Sequence, residues 1–137
     1  MIGIIIITHG RLSEELRDTA KLIMGEHAGL TTISFSAKES LETLKEKAAK
    51  AVEEYREGGC LILTDVLGGS ATNVCIDLMK LDGVRVITGV NLPMIMEALQ
   101  NRDRLDLPNL SAKVRDGAAR AIIDLKEFYS KRLAKKE

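Results

Sequence analysis

Four short runs rich in β-branched residues, each followed by a stretch with helical periodicity, constrain this 137-residue chain more than any other feature. Such alternation points to parallel βαβ units, because a parallel neighbour needs a crossover long enough to hold a helix, and the alternation argues against an antiparallel sandwich. Strands are expected near Gly3–Thr8, Thr31–Phe35, Cys60–Asp65 and Val84–Thr88. The expected fold class is α/β: a three-layer open sheet of about four parallel strands with helices on both faces.

The first helix is expected over Leu12–Met24, where Leu12, Leu16, Ala20 and Ile23 recur at helical spacing and Ser13, Glu14 and Glu15 put polar and acidic groups in the first turn. Ser36 and Glu39 have capping-box spacing ahead of the stripe Leu41, Leu44, Ala48, Val52 and Tyr55, which ends at Gly58 and Gly59. Ala71, Val74, Cys75 and Leu78 mark a third helix before the turn at Asp82 and Gly83. Pro93 suits a first helical position ahead of Met94, Ile95, Ala98 and Leu99. Asn101–Asn109 reads as a polar, proline-containing connection. Lys113–Arg132 fits either one helix or a short helix followed by a strand around Ala121–Leu125, and Lys131–Glu137 reads as a frayed tail. No second domain is expected: residues 1–137 read as one.

Twenty basic and twenty acidic side chains cancel, so no overall field attracts nucleic acid or an anionic membrane surface. Cys60 and Cys75 stand in apolar contexts without CxxC spacing, which argues for a reducing compartment and against a disulfide framework. The apolar run Ile2–Ile7 lacks a basic leader and is too short for a signal peptide or a membrane span. A cytoplasmic protein without direct membrane insertion is expected.

The chemistry falls on one rim. Right-handed crossovers put every strand-to-helix loop of a parallel sheet on the same edge, where ligands bind at the point of reversed strand order. His9 ends the first strand and Asp65 ends the third. If those strands are neighbours, the two side chains meet. Gly68, Gly69 and Ser70 follow, opening a helix whose first amides attract an anion such as a phosphoryl group. An imidazole, a carboxylate and a nest of amides are the parts needed to carry a phosphoryl group on nitrogen. Taken singly, a strand-end histidine is more often structural, and a Gly-Gly turn is more often punctuation. His27, at the end of the first helix, reads as a solvated side chain near the carbonyl end and has no expected role.

Other chemistries fit less well. A nucleophile elbow needs G-x-S-x-G, whereas Gly68-Gly69-Ser70-Ala71-Thr72 ends in threonine and the histidine comes first in the chain. Asp65 imitates the phosphoacceptor of a receiver domain, but Thr8-His9-Gly10 lacks the carboxylates that would hold Mg²⁺. No P-loop or G-x-G-x-x-G follows a strand, and His9 with Asp65 alone falls short of a metal ligand set.

Three motifs in order, "THG" closing the first strand, "TDVLGGSATN" after the third and "TGVNLPM" after the fourth, resemble the mannose-class IIA component of the bacterial phosphoenolpyruvate:sugar phosphotransferase system. The likeness runs to about Gly117. It implies a phosphohistidine carrier that accepts a phosphoryl group from the carrier protein HPr and passes it to a IIB protein for sugar uptake, with no metal or organic cofactor. By the same resemblance His9 is the phosphorylated residue, through Nε2, and Asp65 holds its other nitrogen. Gly68, Gly69 and Ser70 then surround the phosphoryl group, and Asn91–Met94 completes the rim. Arg11, Leu67, Asn91, Leu92 and Met94 are the expected partner-docking residues. The family pattern also implies a homodimer exchanging an antiparallel edge strand, which favours the strand reading of Ala121–Leu125. Leu67 and Ala71 depart from the aromatic residue and the proline usual there, on what is expected to be the docking rim. An alternative within the same chemistry is a regulatory module in which phosphorylation of His9 reports carrier status without feeding transport.

Overall fold

The computed structural model describes residues 1–136. The elements run β1 (Gly3–His9), α1 (Leu12–Met24), β2 (Leu30–Phe35), α2 (Leu41–Glu54), β3 (Cys60–Thr64), α3 (Ser70–Leu78), β4 (Val84–Ile87), α4 (Leu92–Asn101), α5 (Leu107–Arg120) and α6 (Leu125–Lys136). All strand pairs are parallel and the sheet order is β2-β1-β3-β4.

The four isoleucines Ile4–Ile7 explain why β1 is central. All are fully buried, and the alternation of strand side chains sends them to opposite faces. Ile4 and Ile6 join Leu61 and Leu63 under α1, α4 and α5, while Ile5 and Ile7 join Ile33 and Ile62 under α2 and α3. A continuous apolar run is what a strand covered on both faces requires. The three-layer expectation is thereby met.

Several boundaries differ from those expected. Ser40, not Ser36, caps α2: its hydroxyl accepts the Thr43 N–H at 3.1 Å, because Ser36 lies in the preceding turn, where its carbonyl takes the Glu39 N–H at 3.1 Å. The connection after α4 is shorter than Asn101–Asn109. Asp106 caps α5 by accepting the Asn109 N–H at 3.0 Å, and Pro108 sits inside the first turn, where a missing N–H removes no helical bond.

The expected edge strand at Ala121–Leu125 is not formed. Within this single chain Ala121–Asp124 link α5 to α6, and Asp124 accepts the Glu127 N–H at 3.1 Å as α6 begins. The expected fray from Lys131 is likewise replaced by helix as far as Lys136, with Glu137 outside the described residues. Ile122, Ile123, Leu125, Tyr129 and Leu133 are exposed there. Among the described residues, no helix is long and apolar enough to cross a membrane.

Candidate functional site

The crossing pattern decides what meets His9. From β1 the chain goes to β2 on one side, then crosses to β3 on the other, so strand order reverses between β1 and β3. That is the place where open parallel sheets bind ligands. Ile7 pairs with Thr64 in register, which brings His9, two residues on, and Asp65, one residue on, together at the carboxyl rim.

Their contact is direct. His9 Nδ1 lies 2.8 Å from Asp65 Oδ2, and the His9 backbone N–H donates to the same oxygen at 2.9 Å. The Val66 N–H donates to Oδ1 at 2.9 Å. Partial burial opposes charge on Asp65, but the amides of His9 and Val66 and the His9 ring outweigh it and hold the carboxyl below its ordinary 3.8. An ionised carboxylate only accepts hydrogen bonds, so the neutral form of the ring carries its proton on Nδ1 and its lone pair on Nε2. The His9 side chain is 46% exposed and that of Asp65 13%. The less exposed partner is thus the anion, and the more open one is the imidazole ring.

The loop after Asp65 supplies the third component. Gly68 has φ +86°, a conformation that L side chains rarely adopt, and Gly69 then caps α3 from an extended conformation. A Cβ on Gly69 would stand 2.9 Å from His9 Cε1 and 3.3 Å from Val66 Cγ2, so only glycine lets this backbone lie against the imidazole. The first α3 bond runs from the Asn73 N–H to the Gly69 carbonyl, leaving the amides of Ser70, Ala71 and Thr72 without helical partners. Gly69 has no side chain to occupy them. Thr72 Oγ1 donates to the Val66 carbonyl at 2.7 Å and closes the loop on itself. The N-terminus of α3 therefore turns a set of backbone donors toward the rim beside the ring, an arrangement suited to an anion.

The other expected residues divide. Arg11 and Leu67 are exposed, with Leu67 at 80%. Asn91 is half-buried and caps α4, its Oδ1 accepting the Met94 N–H at 3.0 Å, and Leu92 packs partly on the core. Met94 is buried at 3% in the cluster beneath α1, α4 and α5, so it offers no docking surface. Ala71 is also fully buried, packed with Val74 and Cys75 beneath α3, which removes it from the rim.

Sequence reasoning passed over two residues that shape the site. Thr8 Oγ1 accepts the Ser13 N–H at 2.8 Å and so caps α1 in place of Arg11, whose side chain makes no such bond. Phe35 stands edge-on to the His9 ring, with centroids 5.8 Å apart and planes at 83°. Its position at the end of a strand adjoining β1 was the available signal.

The family model described as PTS system fructose IIA component, EIIA-man, matches residues 3–115. The chain belongs to this family. It is 33% identical over 112 residues to the PTS system fructose-specific EIIA component of Bacillus subtilis (strain 168), covering 80% of this chain and 77% of that one. It is 27% identical to the sorbose-specific EIIA component of Lacticaseibacillus casei, covering 97% and 91% of the two chains. Among solved structures, the phosphotransferase system component EIIA from Streptococcus agalactiae superposes with a TM-score of 0.87 at 30% identity, covering 93% of this chain and 99% of the other. As a mannose-class IIA protein the chain is a phosphocarrier component of a sugar phosphotransferase system.

Proposed function

We propose that this IIA protein accepts a phosphoryl group on His9 Nε2 from phosphorylated HPr and passes it to a IIB protein for sugar uptake. The observation that carries the reading is the 2.8 Å contact between Nδ1 and Asp65 Oδ2, which leaves Nε2 as the unprotonated nitrogen of a half-exposed ring.

The Nε2 lone pair forms the new N–P bond as the donor's N–P bond breaks, and the departing electron pair returns to the donor imidazole. No proton need leave Nδ1. The phosphorylated ring is cationic, and the Asp65 carboxylate balances it, which is the role a fixed carboxylate plays beside a catalytic histidine. The amides opening α3, with the Gly68–Gly69 turn and Ser70, are directed at the transferring oxygens, whose charge is spread in a loose transition state. Onward transfer runs the same steps in reverse with the IIB nucleophile.

Partners of this reaction need to reach an open rim. Leu12, Val66 and Leu67 are exposed around His9, and Arg11 adds a cation paired with Glu14 at 3.2 Å on the surface. Arg11, Leu67, Asn91 and Leu92 form the docking surface in this reading. A homodimer remains part of the proposal, tested by sedimentation.

Incubation with phosphoenolpyruvate, enzyme I and HPr should place one acid-labile phosphate on His9. Label mapping to any other residue sinks the assignment. Addition of candidate IIB proteins should then discharge it. Phosphorylation that no IIB protein discharges favours the reporting role over transport.

A further inference from the structure

A hydrogen bond through Nδ1 fixes one atom of the His9 ring and leaves the remainder free to swing about that contact. Transfer in line needs Nε2 held in direction as well as in tautomer, since a misplacement of about 1 Å can cost on the order of a hundredfold in rate. With nearly half its side chain exposed, His9 has little packing on the solvent side to supply that restraint.

The sheet supplies it from the flanks. His9 and Phe35 are register partners on β1 and β2, so Phe35 lies on the side of His9 away from Asp65 and Gly69. The Phe35 ring meets the imidazole at 5.8 Å between centroids and 83° between planes, the perpendicular arrangement that aromatic quadrupoles favour. Phe35 is itself anchored. It packs against the cluster beneath α2 and α3, and its carbonyl accepts the Gly10 N–H at 2.8 Å, extending the β1–β2 pairing one residue past the histidine. The Gly69 backbone closes the opposite flank.

We propose that Phe35 is a positioning residue for phosphoryl transfer: its ring, with the Gly69 backbone facing it, clamps the His9 imidazole so that Nε2 points steadily out of the rim. This rests on the reading of His9 as the phosphoryl acceptor. Phe35 touches neither partner nor phosphoryl group in this role; it acts through the ring.

Two readouts test it. In the first, ¹³C relaxation of the His9 Cδ2–H and Cε1–H bonds should show a restrained ring in the native chain and motion of larger amplitude in Phe35→Leu and Phe35→Met. A native ring as mobile as the ring in those variants overturns the clamp. In the second, single-turnover acceptance from ³²P-labelled phospho-HPr should slow about ten- to hundredfold in Phe35→Leu and Phe35→Met. The half-saturating HPr concentration should hold, and Phe35→Tyr should retain the native rate. Native transfer rates in folded Leu and Met variants overturn the proposal, and so does a loss confined to half-saturation, which would make Phe35 a docking residue. If the native protein takes no label, the carrier reading fails, while the NMR measurement still decides whether Phe35 holds the ring.

Discussion

The chain's two histidines occupy opposite rims of the sheet, and the contrast between them shows what makes an imidazole chemical. His27 follows α1 at the amino rim, where its Nδ1 meets the Gly25 carbonyl at 3.1 Å and its neighbours Lys21 and Glu26 pair with each other at 3.0 Å. It borders a cleft of about 370 Å³ lined by Arg17, Asp18, Lys21 and Glu26. His9 instead has a carboxylate on Nδ1, a ring on one flank and a side-chain-free backbone on the other. A cavity is therefore the poorer guide here. Phosphoryl transfer between proteins needs an open nucleophile held firmly, and in the proposed reading His9 at the carboxyl rim is that nucleophile.

Substituting each histidine breaks the comparison most sharply. His9→Ala should abolish label from phospho-HPr with the fold intact, whereas His27→Ala should take label at the native rate; retained label in the first variant would relocate the site. Asp65→Asn comes next. It keeps the shape and removes the charge that balances a phosphorylated ring, so transfer should slow by roughly 10²–10⁴, and a native rate in single-turnover assays would remove Asp65 from the mechanism. The same carboxyl sets an acid limit on folding. Because its folded value lies below the ordinary 3.8, its contribution is complete above that pH and is lost as the pH falls through the lowered value. Unfolding curves across that range should show this loss in the native chain and lack it in Asp65→Asn.

Smaller effects separate stability from chemistry. At the amino rim Arg102 is buried, donating to the carbonyls of Ala28 and Gly29 while its Nε finds no partner among the described residues. Arg102→Met should cost about 1–3 kcal/mol in denaturant unfolding and leave transfer unchanged. At the carboxyl rim the fully buried Thr64 hydroxyl likewise has no partner among the described residues. Thr64→Val, close in shape, should raise stability by about 1 kcal/mol, and a loss of stability instead would show that the hydroxyl is satisfied.

Much of the fold was legible because its signals are local. The α1 range Leu12–Met24 follows from apolar spacing and an acidic first turn, and it agrees with the structure at both ends. The β1 run needs burial on both faces and receives it. The expectations that failed depended on distant partners or competing caps. Ser36 and Ser40 both offer a capping hydroxyl, and only the path of the chain out of β2 selects the second. Ala121–Leu125 could be strand or helix by pattern, and within a single chain it links α5 to α6, since an exchanged strand would need a second subunit to pair with. The family resemblance places Met94 and Ala71 on the rim, yet both are buried in the core, as the apolar spacing of Met94 with Ile95, Ala98 and Leu99 suggests.

By itself the sequence determined that strands and helices alternate, that His9 and Asp65 each end a buried strand, and that glycines open the helix after Asp65. Those features are written in the period and the type of adjacent residues. Only the tertiary structure decided that β1 and β3 are neighbours, that β2 brings Phe35 to the other flank, and that the carboxylate faces Nδ1 rather than solvent. The strands present similar apolar faces to any neighbour, so their order is a property of how the whole chain packs, and the site exists only once that order is chosen.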